Sequence, residues 1–456
     1  MDSNDLRLEI RNTKVLGARR TLPSVFDNEL QAAYNASTLS EVDESVKRAA
    51  FRLSRLGVFE TVDMQLGVAE GGEPYEVDLT ITVREKNWYT ASVQANTHTN
   101  AKKGEMDLRP EAEGTLTNIF GRAEKITVAA ITDSHLDSAG TYMARLLMPH
   151  VWNTPLTGTF EAKWEKTDMT RHTSYTELAQ GFCASLRAPG SGHTFDYKFI
   201  YRDVTPQRHR SVPYAMDASK AVIAEARPSL KSSIGYSYVK DGRDNPFSPE
   251  RGNLFKGAME AAGLFGGDVG FCKAELEAQT HHPLVELPYG PLTWSGIASV
   301  GAIKAFNQST TTHIIDRFFM GGPLELRGFQ VFGVGPRAPK ETVGSNLLTN
   351  VPPSAGDALG GDLRYTMSTA LSWPVPIPAL ARHGVRGMSY INAGNITNWN
   401  APVSGLAKDT RVSAGGGILW NFIGMARLEI SFSKVLRANS HDKLRAWQFG
   451  LGLQFY

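Results

Sequence analysis

The segment Trp447-Gln448-Phe449-Gly450-Leu451-Gly452-Leu453-Gln454-Phe455 decides the class of fold. Large apolar side chains occupy every second position, and glutamine or glycine occupies the positions between them. A period of two is typical of a β-strand, whose successive side chains point to opposite faces of the sheet. One face of this strand is therefore apolar and aromatic, whereas the other is polar or has no side chain.

The same alternation recurs from Trp88 to the end of the chain, and a helical period does not. About sixteen such segments fit between Trp88 and Tyr456, an even number as single-chain barrels prefer. Lipid outside and water inside explain both faces, and closure removes strand edges that hydrocarbon cannot solvate. We therefore predict a mostly β protein whose residues 88–456 form a 16-stranded antiparallel transmembrane β-barrel. On periodicity alone, a soluble protein of two packed sheets remains an alternative.

The first 87 residues have a different pattern and predict a separate small domain. Thr38-Leu39-Ser40-Glu41 is a capping box, which marks a helix N-terminus. Apolar residues then recur at helical spacing until Gly57, and Tyr75–Val83 alternates as a strand with one buried face. With an earlier strand and an earlier helix, the predicted order over residues 1–87 is β-α-α-β-β.

Composition and motifs exclude several classes of function. The net charge of +2 gives no electrostatic reason to expect nucleic-acid binding. Two cysteines do not form a disulfide framework, and no metalloprotease, nucleophile-elbow or phosphate-loop motif occurs. We expect no enzyme activity, cofactor or metal site. The segment Met1–Arg7 has no basic region followed by an apolar run, so we expect synthesis in the cytosol without a cleaved export signal.

One connection is too long for a hairpin turn. About 55 residues, roughly 306–360, separate two predicted strands, and loops of this length are usually functional or disordered. The connection contains Phe318-Phe319-Met320-Gly321-Gly322-Pro323-Leu324-Glu325-Leu326-Arg327-Gly328-Phe329. If this segment packs inside a lumen, Arg327 needs a carboxylate partner from the barrel wall. The alternative is a surface turn with an exposed arginine.

The segment from Gly321 to Phe329 resembles the signature loop of the BamA-type assembly barrels of outer-membrane proteins. The turn Asn118-Ile119-Phe120-Gly121-Arg122-Ala123-Glu124 is similar to an early turn of the family, with Ala123 in place of its second glycine. The N-terminal β-α-α-β-β order is that of the family's POTRA (polypeptide transport-associated) domain. Other segments resemble later family motifs, in this order along the chain: Asp241, Arg243 and Asp244 with Pro249 and Gly252; Gly360-Gly361; Asn392–Asn395; Arg411–Gly415.

The resemblance implies an insertase for β-barrel precursor proteins. With one POTRA domain, the chain is similar to the barrel subunit of the mitochondrial sorting and assembly machinery. Partners would then be precursor strands, accessory subunits and the bilayer, and the barrel would lie in the mitochondrial outer membrane with its POTRA domain in the intermembrane space. A plastid or bacterial relative is an alternative, and a passive solute or protein-conducting channel is the alternative function.

The resemblance also implies roles for individual residues. Arg327, Gly328 and Phe329 would fold back into the lumen, and Asp409 and Glu429 are the candidate partners of Arg327.

A lateral gate would lie between the first strand, near residues 88–97, and the last. Glycines at 450 and 452 are expected to weaken side-chain packing along this seam. Gln448, Gly450, Leu453 and Phe455 fit the mitochondrial terminal-strand signal, in which a polar residue, a glycine and two hydrophobic residues stand at fixed spacing.

Overall fold

The computed structural model describes residues 7–69, 73, 75–100, 105–132, 140–208, 216–306, 311–342, 356–400, 408–422 and 426–453. It has a small N-terminal domain followed by one large antiparallel sheet of 16 strands. The predicted fold class and strand number are confirmed. Between the two parts, β3 ends at Glu85 and β4 begins at Tyr89.

The N-terminal domain packs two helices on a three-stranded sheet. The strand order is β1-β3-β2, with β1 parallel and β2 antiparallel to β3. The second helix starts where the capping box predicts, because the Thr38 hydroxyl accepts a hydrogen bond from Glu41 N at 3.3 Å. It ends before Gly57, whose φ of +70° favours glycine. The elements are β1 Glu9–Leu16, α1 Pro23–Tyr34, α2 Leu39–Arg55, β2 Phe59–Val68 and β3 Glu76–Glu85.

The barrel strands follow in sequence order around the sheet, from β4 to β23. Four two-residue strands (β11, β16, β17 and β18) lie outside the barrel wall, in the connections. The strands in chain order are β4 Tyr89–Asn100, β5 Glu105–Thr117, β6 Lys125–Thr132, β7 Gly140–Met148, β8 Thr157–Asp168, β9 Tyr175–Arg187, β10 His193–Pro206, β11 Met216–Asp217, β12 Ser229–Asp241, β13 Gly252–Gly267, β14 Phe271–Leu287, β15 Gly290–Ala305, β16 Arg337–Ala338, β17 Glu341–Thr342, β18 Asp357–Ala358, β19 Leu363–Pro374, β20 Val385–Thr397, β21 Arg411–Phe422, β22 Ala426–Arg437 and β23 Trp447–Leu453.

Short helices occur only in the connections between described strands. They are a 3-10 turn at Val151–Asn153 and the helices α3 Thr170–Thr173, α4 Lys220–Glu225 and α5 Pro378–Arg382. Across the described ranges, none of the helices has both the length and the apolar composition needed to cross a bilayer.

Side chains alternate between the two faces of the barrel wall, as the sequence predicts. In β23, Trp447 and Phe449 are 66% and 52% exposed, whereas Gln448 is buried and Gly450 lies against the long loop. Exposed apolar side chains on the outside and polar side chains inside are what a strand between lipid and an aqueous lumen requires.

The turn Asn118–Glu124, between β5 and β6 of the barrel, packs against the N-terminal domain. The Asn118 amide donates to the Thr21 hydroxyl at 2.7 Å, and Leu22 N donates to Gly121 O at 2.8 Å. Ala123 has a φ of +59°, a conformation that favours glycine, but its methyl group is fully buried in the core of the N-terminal domain. Burial of this methyl group offsets the backbone strain that the family's glycine would avoid.

Glu85, the last residue of β3, holds the segment of the N-terminal domain that contacts this turn. Its carboxylate accepts hydrogen bonds from Arg20 N at 3.1 Å, Thr21 N at 2.9 Å and the Thr21 hydroxyl at 2.6 Å. Partial burial alone would raise the pKa of Glu85, but the hydrogen bonds from Thr21 and Arg20 outweigh it and lower this pKa from 4.5 to about 2. The carboxylate therefore stabilises the junction only in its ionised form.

Substitution of Glu85 and acidification should loosen the same segment. Since the pKa is lower in the folded protein, the stabilisation is complete above pH 4.5 and is lost as the pH falls towards 2. In Glu85→Gln, we expect faster hydrogen exchange of the Arg19–Thr21 amides at pH 7, equivalent to about 1–3 kcal/mol. Hydrogen exchange read by mass spectrometry measures both effects, with the exposed Glu44→Gln as the control. Equal protection in the two variants would contradict this role of Glu85.

Several connections pack together at the barrel mouth opposite the N-terminal domain. Antiparallel strands alternate in direction, so the β8–β9, β10–β12 and β15–β19 connections all emerge at this end. The Arg202 guanidinium binds both Asp316 oxygens there, at 2.7 and 3.0 Å. These connections bury a second apolar core, here called the mouth cluster: Met169, Tyr175, Val204, Ala218, Val222, Ile314, Phe332 and Ala358.

Candidate functional site

The signature loop, residues 318–329 of the long β15–β19 connection, lies inside the barrel. Phe329 is fully buried and packs with side chains of the barrel wall and of the loop itself. This apolar packing brings Arg327 to the inner face of the last four strands, β20 to β23. The loop is thus part of the lumen, and the alternative of an exposed surface turn is wrong.

Arg327 is bound to Glu429 of β22, one of its two predicted partners. The guanidinium contacts both carboxylate oxygens, through Nε and through Nη2 at 2.9 Å. Glu429 is fully buried and also accepts from Arg427 Nη2 at 3.1 Å. The Arg327 guanidinium lies over the Tyr390 ring, 4.7 Å from its centroid. A bidentate pair with extra partners is the arrangement that makes a buried ion pair tolerable.

Asp409, the other predicted partner, does not bind Arg327 in the structure. It precedes β21, and its main-chain oxygen accepts from Arg411 Nη1 at 3.0 Å. Arg411 in turn binds both oxygens of Asp442, at 2.9 and 3.1 Å. The prediction of Asp409 as a partner is therefore wrong, because this residue lies at the end of a strand and not on its inward face.

Gly328 is held by the main chain and by the last strand. Its N–H donates to Gln448 Oε1 at 2.8 Å, and its carbonyl oxygen accepts from Arg445 N at 2.9 Å. The φ of Gly328 is +91°, and an added Cβ would lie 3.1 Å from the Ser413 Cβ. Both the conformation and the lack of space require glycine here.

Gln448 contacts two consecutive residues of the signature loop. While its Oε1 accepts from Gly328, its Nε2 donates to the carbonyl oxygen of Phe329 at 2.7 Å. Ser413 of β21 adds a third contact by donating to Arg327 O at 2.5 Å. The sequence predicted Gln448 as part of a terminal signal but did not predict this loop contact. The inward position of Gln448 in the alternation was the signal that could have revealed it.

Gly450 also faces the loop, for a reason that differs from the predicted one. A Cβ at this position would lie 3.2 Å from the Pro323 Cβ and 3.3 Å from the Leu324 Cδ2. The glycine leaves room for the loop, so it contributes to a packed contact and not only to a weak seam. Gly452 and Leu453 follow in β23, and Phe455 lies outside the described residues.

The mid-barrel motif forms the turn between β12 and β13 on the side of the N-terminal domain. Arg243 binds both Asp241 oxygens, at 2.9 and 2.7 Å, and contacts Gln279 Oε1 at 3.1 Å. Asp244 accepts from the main chain of Glu250 at 3.0 Å and so closes the turn. Arg243 also lines a lumen cavity of about 680 Å³ that Arg327 borders.

The site is thus a set of paired charges and main-chain contacts. In the described ranges no group of histidine, cysteine, aspartate and glutamate side chains is placed to hold a metal ion. What the arrangement can do is hold a long loop against the last strands of a barrel.

The sequence matches a known family over most of its length. Residues 118–455 match the model of the Omp85 superfamily domain. The chain belongs to the Omp85 superfamily. The resemblance to BamA-type barrels and to the sorting and assembly machinery, predicted from the motifs, is therefore confirmed.

Known proteins resemble this Omp85 member in sequence, and a solved structure resembles it in fold. It is 30% identical to the sorting and assembly machinery component 50 homolog of Xenopus tropicalis, over 96% of this chain and 89% of the relative. The human homolog is 29% identical, over 96% and 88% of the two chains. BamA from Haemophilus ducreyi lacking POTRA domains 1–3 superposes with a TM-score of 0.74 at 17% identity, over 98% and 85%.

Removal of the Arg327 side chain should destabilise the barrel of this Omp85 member. Arg327→Ala leaves the buried Glu429 carboxylate with Arg427 alone, at a cost of about 3–5 kcal/mol. We expect the variant to lose its compact, heat-modifiable band on semi-native electrophoresis at a clearly lower temperature. Arg327→Lys should lose this band at a temperature between those of Arg327→Ala and the unmodified protein, because lysine keeps the charge without the two parallel hydrogen bonds.

The exposed Arg445 provides a matched control in the same region. Its main-chain contact with Gly328 survives truncation of the side chain, so Arg445→Ala should unfold at the temperature of the unmodified protein. If Arg327→Ala and Arg445→Ala unfolded together, the ion pair would not stabilise the barrel.

Proposed function

We propose that this chain folds and inserts β-barrel precursors into the mitochondrial outer membrane through a lateral gate between β4 and β23. Its relatives are named as sorting and assembly machinery components, and its fold is that of BamA. The observation that carries the proposal is the seam. A few Cα atoms of β4 and β23 lie within 8 Å of each other, but no hydrogen-bonded register joins residues 89–100 to residues 447–453.

A seam of this kind offers a template for an added strand. The β4 edge carries main-chain donors and acceptors that an extended segment of another chain can pair with. The terminal strand of a precursor would supply its own edge in exchange. Because no hydrogen-bonded register joins β4 to β23 among the described residues, pairing of the precursor with β4 breaks no existing ladder, and this lowers the barrier to insertion.

The signature loop supports the fixed side of the gate. The Arg327–Glu429 pair and the Ser413 contact hold the loop on β21 and β22, next to β23. A rigid wall at β20–β22 would confine the opening to the seam itself. The N-terminal domain, at the barrel end where β4 begins, would lie in the intermembrane space and receive precursors with accessory subunits.

A passive solute channel is the rival function, and the mouth cluster argues against it. The connections at the barrel mouth bury Ile314 and Phe332 in a packed apolar core, which narrows the space for a solute path. The signature loop also occupies part of the lumen. A channel for solutes needs an open path, whereas an insertase that works at its seam does not.

Disulfide crosslinking tests the lateral gate. Single cysteines placed along residues 89–97, with Cys183 and Cys272 replaced by serine, are combined with a radiolabelled porin precursor that carries a cysteine in its terminal strand. In mitochondria that contain this chain, we expect crosslinks whose yield depends on register, because strand pairing fixes which residues face each other.

Two controls test whether the crosslinks depend on the precursor's signal and on the seam. A precursor with a mutated terminal signal should not crosslink, and Thr159→Cys on β8, away from the seam, should capture no precursor. The absence of crosslinks at residues 89–97 with an intact barrel would overturn the gate and favour a channel.

A further inference from the structure

The lumen cavity of about 680 Å³ has a surplus of positive charge at the end bordered by Arg243 and Arg427. We propose that this end of the cavity binds a small oxyanion of the phosphate class. The ligand would come from the solution on the side of the N-terminal domain. Binding at this site does not depend on the lateral gate, because neither β4 nor β23 contributes to the cavity wall.

The surplus charge arises because two guanidinium groups share one carboxylate. Glu429 binds Arg327 through both of its oxygens and also accepts from Arg427 Nη2 at 3.1 Å. The bidentate pair of Arg327 and Glu429 is already balanced in charge. Arg427 therefore has no carboxylate of its own among the described residues. A charge held away from bulk water without a full partner is costly, and a bound anion would offset that cost.

The Arg427 side chain also has a hydrogen-bond donor left over. Its Nε is buried and has no acceptor within the described ranges. The side chain as a whole is 27% exposed, and it lines the cavity. Guanidinium donors form their strongest hydrogen bonds with carboxylate and phosphate oxygens. An oxyanion in the cavity would therefore meet both a charge and a donor that the protein does not satisfy.

A second cation strengthens this end of the cavity. Arg243, in the β12–β13 turn, lies close enough for its charge to act on Arg427, and both act on His281 of β14. The nearby carboxylates are already engaged. Asp241 is bound by Arg243, and Asp244 accepts from main-chain N–H groups of the turn. An anion placed between the two guanidinium groups would thus be attracted by both.

The far end of the cavity has the opposite balance, which limits the size of the ligand. There Arg364 alone binds two carboxylates, Glu275 at 2.7 Å and Glu325 at 2.8 Å. A long polyanion would bring negative charge to these carboxylates and be repelled. The cavity therefore favours a small anion that stays at the Arg427 end.

The two cations lie on elements that meet at the same end of the barrel. Arg243 follows β12 where that strand ends, and Arg427 is the second residue of β22, which starts at this end. A bound anion would attract the β12–β13 turn and β22 towards each other across the lumen. Because only the folded barrel brings these elements together, binding should stabilise the fold.

Titration with inorganic phosphate tests the site. The full-length chain is placed in nanodiscs of neutral lipid, and binding is measured by isothermal titration calorimetry at constant ionic strength. Phosphate should bind and should raise the temperature at which the heat-modifiable band is lost, whereas chloride should do neither. Arg427→Gln should weaken phosphate binding about tenfold or more, since a charged donor is lost. This variant should keep its compact band, because Arg327 and Glu429 stay paired.

The exposed Arg437, at the other end of β22, supplies the matched control. Arg437→Gln removes the same charge from the same strand and should bind phosphate like the unmodified chain. Equal phosphate binding by Arg427→Gln and Arg437→Gln would overturn the proposal. An effect that chloride reproduces, or that anionic lipid in the nanodiscs reproduces while phosphate does not, would also contradict a site for a small soluble oxyanion.

A second variant tests the site without altering Arg427. His281→Glu introduces a carboxylate within reach of the charges of Arg243 and Arg427, so it supplies the missing negative charge from the protein itself. We expect this variant to lose phosphate binding. Undiminished phosphate binding by His281→Glu would refute the site even if Arg427→Gln failed to fold.

Discussion

The buried ion pair between Arg327 and Glu429 is the constraint on which the rest of the site depends. Taking two charges out of water costs several kcal/mol per ion, so such a pair is weak evidence for stability and better evidence for a specified position. Arg427 and Tyr390 add further contacts to the pair. Glu429 lies at one place on the barrel wall. Binding of Arg327 to it therefore fixes the position of the loop in the lumen.

That position determines what the following residues touch. With Arg327 on β22, the next residue, Gly328, reaches β23. Only glycine fits there, because an added Cβ would crowd side chains of β21 and β22. The main chain of Gly328 and Phe329 is thereby presented to the last strand, β23. Like β4, this strand has one edge with no register to a neighbour among the described residues. A charge pair thus places neutral hydrogen-bonding groups where strand exchange is proposed.

Much of this architecture could be predicted from the sequence, and there are physical reasons why the rest could not. A period of two predicts the strands and their faces, and from those faces Glu429 follows as an inward carboxylate. Asp409 could not be excluded, because periodicity says nothing about residues beyond a strand end. Gln448 contacts main-chain atoms of the loop. Because every residue has these atoms, the sequence of the loop does not indicate the contact. The contact of Gly450 with the loop could not be predicted, because a missing side chain indicates space without indicating what fills it.

The seam makes the side-chain contacts of β23 more important than its main chain. Unpaired N–H and C=O groups cost several kcal/mol each in hydrocarbon, so the edge of β4 favours any strand that pairs with it. Main-chain pairing is the same for every sequence and cannot distinguish a precursor's terminal strand from another segment. Side chains differ between segments, and on the lumen face of β23 a carboxamide and a glycine meet the loop.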